Sequence, residues 1–169
     1  MINEKMIHEI VNEGMVIPLD LLVEILAAIV GTVAFSVLFG VPRRYYRYCG
    51  LIGGAGWAVY CVFSNVCDSP GASLAATMVV IFLSRLMAVR ERCPATIFLI
   101  SGIFPLVPGA GVYWTAYYIV TEQLWKAVQT GYLAVKIAVA IVLGIVFIFE
   151  LPQGLFLSLA GHKRSKAEK

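Results

Sequence analysis

The stretch that decides the fold is Pro105-Leu-Val-Pro108-Gly109-Ala-Gly111, which interrupts an apolar segment running from Ala95 to Val120. Proline has no N–H, so a helix continued through this stretch would lose hydrogen bonds to the carbonyls of Ser101 and Phe104. In a membrane, such a loss is tolerated only where protein buries the backbone or a water-filled cavity lies beside it. Two prolines and two glycines so close together therefore predict a broken helix with a functional site at the break.

The composition of the chain is that of a membrane protein. Of its 169 residues, 60% are hydrophobic and 14% are charged, and the mean hydropathy is +0.87. Soluble domains are usually about 45–50% apolar and about 25% charged. We therefore expect a multi-pass protein of the cell (cytoplasmic) membrane, embedded in the lipid bilayer and not bound to nucleic acid.

Five apolar segments are long enough to cross a bilayer, since about 20 helical residues span its hydrocarbon core. They predict an all-α, polytopic transmembrane helical bundle with about five spans, the fourth of them broken at the Pro-Leu-Val-Pro-Gly motif. The predicted bundle occupies residues 18–160, after an amphipathic N-terminal arm (1–17) and before a basic cytoplasmic tail (161–169). The five segments are Leu19–Phe39, Tyr46–Val66, Gly71–Val89, Ala95–Val120 and Tyr132–Leu151.

Basic residues are concentrated in two loops and the tail. If all five segments cross, ten of the 13 basic residues fall on one side of the membrane. Cytoplasmic loops concentrate lysine and arginine, so the N-terminus is predicted outside and the C-terminus in the cytoplasm. A re-entrant fourth segment would place the basic tail outside, so a crossing segment is favoured. The ten residues are Arg43, Arg44, Arg47, Arg85, Arg90, Arg92, Lys163, Arg164, Lys166 and Lys169.

The first segment carries two acidic residues, Asp20 and Glu24, which are four residues apart and share a helix face with Ala28 and Gly31. A carboxylate at the depth of Glu24 should face the bundle interior or water. Two interpretations of Glu24 stay open: a proton-coupling acid, or an interfacial acid near a helix start. Asp20 lies nearer the interface and fits the second interpretation.

The second and third segments carry small and hydroxylated residues. Gly50-x-x-x-Gly54 has the spacing of close helix packing in lipid, and packing is the preferred interpretation. Ser73, Thr77 and Ser84 form a polar stripe on one face. These hydroxyls either bond carbonyls of their own or a neighbouring helix, or line a substrate pathway; both interpretations stay open.

The break predicts a ligand type as well as a location. A half-helix that begins near Gly109 would direct unbonded N–H groups and the positive end of its dipole towards a carboxylate. The preceding half-helix would end near Phe104 with free carbonyls that suit a cation. Transporters build midplane sites from such discontinuous helices. The predicted substrate-binding residues are Pro105, Pro108, Gly109, Gly111, Tyr113 and Thr115.

Enzymatic chemistry is not expected. The two histidines and four cysteines show no metal-ligand spacing, and no nucleophile–base arrangement or HExxH motif appears. We therefore predict no metal, no cofactor and no enzyme activity.

The run from Ile103 to Tyr113, IFPLVPGAGVY, resembles the P-x-x-P-G signature of the threonine/serine exporter family (ThrE-type). It is most similar to the family's small, YjjB-type membrane subunit. The run Val41-Pro42-Arg43-Arg44, followed by a glycine-rich helix from Gly50, is also similar. Ala110 stands where the family often has glycine, a mild departure. The similarity covers roughly residues 19–159.

This resemblance implies export of small amino acids such as threonine and serine, or of a dicarboxylate such as succinate. It also implies a larger subunit of the same family as partner, with a homo-oligomer as a further assembly. The sequence hypothesis is a secondary transporter subunit, driven by the proton gradient, in which Glu24 carries the proton. The alternatives are a non-transporting scaffold subunit and, less favoured because no selectivity sequence is evident, a channel.

Overall fold

The computed structural model describes residues 17–152 and 156, with side chains from residue 21 onwards. Within that part the regular structure is entirely helical, as predicted. Of the predicted arm only Ile17 is described, and the predicted tail lies outside the described residues. Two short 3-10 helices, Arg43–Tyr45 and Phe104–Leu106, accompany six α-helices: α1 (Ile17–Leu38), α2 (Tyr46–Ser64), α3 (Ser69–Glu91), α4 (Thr96–Ile103), α5 (Gly109–Val120) and α6 (Leu124–Phe149).

Glycines allow α1 and α2 to pack closely as an antiparallel pair. A Cβ on Gly50 would lie 3.0 Å from Val33 Cγ2 and 3.2 Å from Ile29 Cγ2. A Cβ on Gly53 would overlap the side chain of Thr32. The packing interpretation of the glycine-rich second segment is therefore confirmed, because only the missing side chains permit this separation of the two helices.

Helices α3 and α6 run in the same direction. Gly144 of α6 packs against Thr77, where an added Cβ would lie 3.1 Å from the threonine Cβ. One to two turns further along both helices, the Arg85 guanidinium donates hydrogen bonds to the carbonyls of Ile148 and Leu151. Because α6 is parallel to α3, the chain between them must return along the bundle. The α4–α5 pair therefore advances from one end to the other and does not turn back as a hairpin.

The break has the predicted position. Val107 is extended (φ −63°, ψ 130°), α5 begins at Gly109, and the two parts of the segment are bent by 48°. The Phe104 carbonyl accepts a hydrogen bond from Val107 N–H at 3.2 Å, and the Ser101 carbonyl accepts one from Phe104 N–H. The expectation of free carbonyls is therefore wrong for Ser101 and Phe104, because the 3-10 turn satisfies these two with shorter-range bonds.

The start of α5 does show unpaired donors. Its first bond of the helical type runs from Val112 N–H to the Pro108 carbonyl at 3.1 Å. Among the described residues, the N–H groups of Ala110 and Gly111 have no backbone acceptor. This is the arrangement expected at the N-terminus of a helix.

Three described helices are long and apolar enough to cross a membrane: Leu21–Leu38, Ser69–Glu91 and Leu124–Phe149. The bent α4–α5 pair would be a fourth. The predicted count of five is therefore not confirmed. The predicted second span forms the 19-residue helix α2, which is not among these candidate spans.

Both arginine-rich loops lie at one end of the bundle. Tyr45, in the turn between α1 and α2, packs edge-on against Phe98 near the start of α4, with ring centroids 5.3 Å apart. The loop between α3 and α4 carries Arg92 at the same end. Arg85 contacts the end of α6 there as well.

Candidate functional site

A cavity of about 310 Å³ lies between α1, α2 and the break. Glu24 and Pro105, which were predicted from separate features of the sequence, both line it. Ala28 and Gly31, which share the predicted helix face of Glu24, line it as well. Among the described residues, the lining is Glu24, Ala27, Ala28, Gly31, Phe35, Trp57, Phe104 and Pro105.

Among the described lining residues, Glu24 is the charged one. Its carboxylate accepts hydrogen bonds from the indole N–H of Trp57 at 3.3 Å and from the thiol of Cys61 at 3.5 Å. Both donors belong to α2, so the side chain is directed along the contact between α1 and α2. The side chain of Asp20 lies outside the described residues.

The other end of the cavity is aromatic. The ring of Phe104, in the 3-10 turn, stacks on Phe35 of α1 with centroids 3.4 Å apart and planes inclined by 29°. Phe39 approaches the same ring at 6.3 Å. Glu24 and Phe35 are separated by about 16 Å along α1. The cavity thus follows α1 from a carboxylate to an aromatic wall beside the broken backbone.

The remaining predicted site residues lie on the α5–α6 hairpin and do not line this cavity. Gly111 packs on Ala134, where an added Cβ would lie 3.1 Å from the alanine Cβ. Thr115 donates to the Gly111 carbonyl at 2.7 Å and lies 3.1 Å from the Thr130 hydroxyl. Tyr113 is 64% exposed. Pro108 and Gly109 stand at the start of α5, away from the cavity lining.

Comparison with known proteins identifies the family. The family model described as "Threonine/Serine exporter, ThrE" matches residues 24–150, which include the cavity and the break. The chain belongs to the threonine/serine exporter family. It is therefore a threonine/serine exporter-like membrane protein, in a family of transporters and not of enzymes.

A curated relative adds little about activity. An uncharacterized protein of Haemophilus influenzae (strain ATCC 51907 / DSM 11121 / KW20 / Rd) is 28% identical over 97 residues. The match covers 56% of this chain and 32% of that protein, so this exporter-family chain aligns with about a third of its relative. No solved structure matches.

The hydroxyl stripe of α3 is satisfied by its own helix. Ser73, Thr77 and Ser84 donate to the carbonyls four residues earlier at 2.8, 2.7 and 2.7 Å. All three side chains are buried, and Thr77 contacts Gly144 of α6. Their structural interpretation is supported, because no hydroxyl of the stripe lines the Glu24 cavity.

Three aromatic residues of the cavity were not predicted: Phe35, Trp57 and Phe104. Phe104 belongs to the family signature, so its position beside Pro105 was the available signal. Trp57 lies at the depth of Glu24 only because α1 and α2 are antiparallel with a particular register. That register cannot be predicted from hydropathy and residue spacing.

Within the described residues, no three His, Cys, Asp or Glu side chains are close enough to hold a metal ion.

Proposed function

We propose that this chain is the small membrane subunit of a threonine/serine exporter-like secondary transporter. In this proposal it exports small amino acids or dicarboxylates across the cell membrane together with a larger subunit of the same family, driven by the proton gradient. One observation carries the proposal: an ionisable residue, Glu24, and the family's proline break at Pro105 line one cavity.

Glu24 is the proposed proton carrier. An apolar environment favours the neutral form of a carboxyl group, whereas a nearby cation or hydrogen-bond donor favours the carboxylate. Trp57 and Cys61 supply such donors. Intramembrane ionisable residues commonly serve proton relays.

The α5–α6 hairpin is proposed to form this chain's part of a substrate site that is shared with the larger subunit. No residue of α5 is buried within the described part of the chain, and α5 packs mainly on α6. Tyr113 and Trp114 expose 64% and 46% of their surfaces. A partner seated beside this helix would enclose the remaining predicted substrate residues: Pro108, Gly109, Gly111, Tyr113 and Thr115.

The proposed orientation places the N-terminus outside and the C-terminus in the cytoplasm. The two arginine-rich loops lie at one end of the bundle, and cytoplasmic loops are the ones enriched in lysine and arginine. The parallel α3 and α6 support the same arrangement, because both end at the basic side.

Proteoliposomes test the proposal directly. Vesicles loaded with radiolabelled threonine, serine or succinate would contain this chain alone, the larger subunit alone, or both, under an imposed pH gradient. We expect efflux only when both subunits are present. Absence of efflux from every combination would refute transport. Equal efflux from the larger subunit alone and from both together would instead support a scaffold role for this chain.

A further inference from the structure

A second cavity, of about 420 Å³, lies at the arginine-rich end of the bundle. It is formed by the end of α3, the loop into α4 and the described residue beyond α6. Arg85 and Arg92 line it, with Cys93, Pro94, Ala95 and Phe156 among the remaining walls. Its described lining contains two guanidinium groups and no carboxylate, so the electrostatic preference of this part of the cavity is for an anion.

Arg85 is fixed in place by the end of α6. Its Nη1 donates to the carbonyls of Ile148, Phe149 and Leu151. The guanidinium also lies 4.3 Å from the ring centroid of Phe156. Among the described residues, no acceptor lies within hydrogen-bonding distance of Nε or Nη2. A half-buried arginine held in this way presents its free donors in one orientation, which favours binding of an oxyanion.

Arg92 occupies a backbone conformation that glycine would adopt more easily. It caps α3 with φ 52° and ψ 46°, in the left-handed region. Helices frequently end on a residue in this conformation, and glycine is the usual one. An arginine there carries more backbone strain than glycine would, and its side chain lines the cavity.

We propose that this cavity binds the phosphate group of an anionic phospholipid at the basic face of the membrane. Basic pockets between helices at that face suit such headgroups. The position at the end of α3, where the Arg90 side chain is exposed, places the cavity at the interface and not at mid-depth. Free phosphate shares the same chemistry and is the competing source of the anion.

The decisive variant is Arg92→Gly. It removes the guanidinium and also relieves the strain of a non-glycine residue in the left-handed backbone conformation. We expect purified protein to bind phosphatidylglycerol in preference to phosphatidylcholine, as measured by native mass spectrometry of lipid adducts. Arg92→Gly should weaken phosphatidylglycerol binding about fivefold, the effect of about one interfacial basic residue. Its thermal stability in lipid-free detergent should equal or exceed that of the wild type. Arg90→Ala is the matched control, because Arg90 is exposed and does not line the cavity.

The competing source is distinguished by adding millimolar inorganic phosphate. Retained lipid adducts identify the lipid as the ligand, whereas adducts displaced by phosphate would overturn the lipid assignment in favour of a soluble anion. Equal binding of the two lipids would overturn the proposal, as would equal losses in Arg92→Gly and Arg90→Ala. A lipid-specific loss in Arg92→Gly alone would establish the site independently of any transport activity.

Discussion

The indole N–H of Trp57 donates to the carboxylate of Glu24 across the contact between α1 and α2, at 3.3 Å. The glycines of α2 make this contact geometrically accessible. Gly54, three residues before Trp57, faces Ile29 so closely that an added methyl group would overlap it. The small residues therefore set the separation of the two helices, and that separation places an indole within hydrogen-bonding reach of an acid.

Replacing Glu24 with glutamine should reduce proton-coupled efflux while leaving the fold and its stability nearly unchanged. The amide oxygen of Glu24→Gln can still accept a hydrogen bond from Trp57, but the side chain no longer exchanges a proton in the physiological range. We expect efflux driven by a pH gradient to fall at least about 100-fold, the lower end of the range for loss of a positioned acid–base group. Thermal unfolding should change by less than about 1 kcal/mol, the net value of one hydrogen bond.

Glu150→Gln is the matched control for this experiment. Glu150 is exposed, follows α6 and does not line the Glu24 cavity. The Glu150→Gln variant should retain wild-type efflux. Full proton-driven efflux in Glu24→Gln would show that another group carries the proton.

Pro105→Ala tests the function of the break. Alanine restores a backbone N–H that can bond the Ser101 carbonyl, so α4 would extend in its place. The aromatic wall made by Phe104 and Phe35 should then shift, because it depends on the 3-10 turn. We expect unchanged or greater thermal stability together with a loss of efflux. A variant with normal efflux would indicate that the proline serves only to bend the chain.

The location of the break could be predicted because its cause is local. Proline lacks an N–H wherever it occurs, so Pro105 and Pro108 interrupt a helix whatever surrounds them. The same local argument failed for the carbonyl of Phe104. A 3-10 turn provides an alternative donor three residues away, and hydropathy and spacing do not reveal which turn the chain adopts.

Contacts between helices could not be predicted from the same features. Glu24 and Trp57 are 33 residues apart, and Arg85 and Ile148 are 63 residues apart. Each pair depends on helix register and rotation, which arise from packing of the whole bundle. Thr115 is a further example: its hydroxyl lies 3.1 Å from that of Thr130 on α6, a contact that the sequence did not predict.

Gly53→Ala should destabilise the contact between α1 and α2. The added methyl group would overlap the buried side chain of Thr32, which already donates to the Ala28 carbonyl at 2.7 Å and has little freedom to move. Overpacking of this kind typically costs about 1–3 kcal/mol. The measurement is the unfolding transition in detergent, compared with Gly31→Ala.

Gly31 is a suitable comparison because it lies on the partner helix with no atom within 4 Å of an added Cβ. Alanine there should leave stability unchanged or raise it by about 0.5–1 kcal/mol through helix propensity. Equal unfolding transitions for the two variants would contradict the close packing of α1 on α2.

Two of the natural cysteines test the proposed orientation. Cys67 is exposed in the loop between α2 and α3, and Cys93 is partly exposed in the loop between α3 and α4. The helix α3 separates the two loops, so they lie at opposite ends of the bundle. With only one of these cysteines retained, a membrane-impermeant maleimide should label Cys67 in intact cells and Cys93 only after permeabilisation. The reverse pattern would invert the orientation, and labelling of both from outside would contradict a membrane-crossing α3.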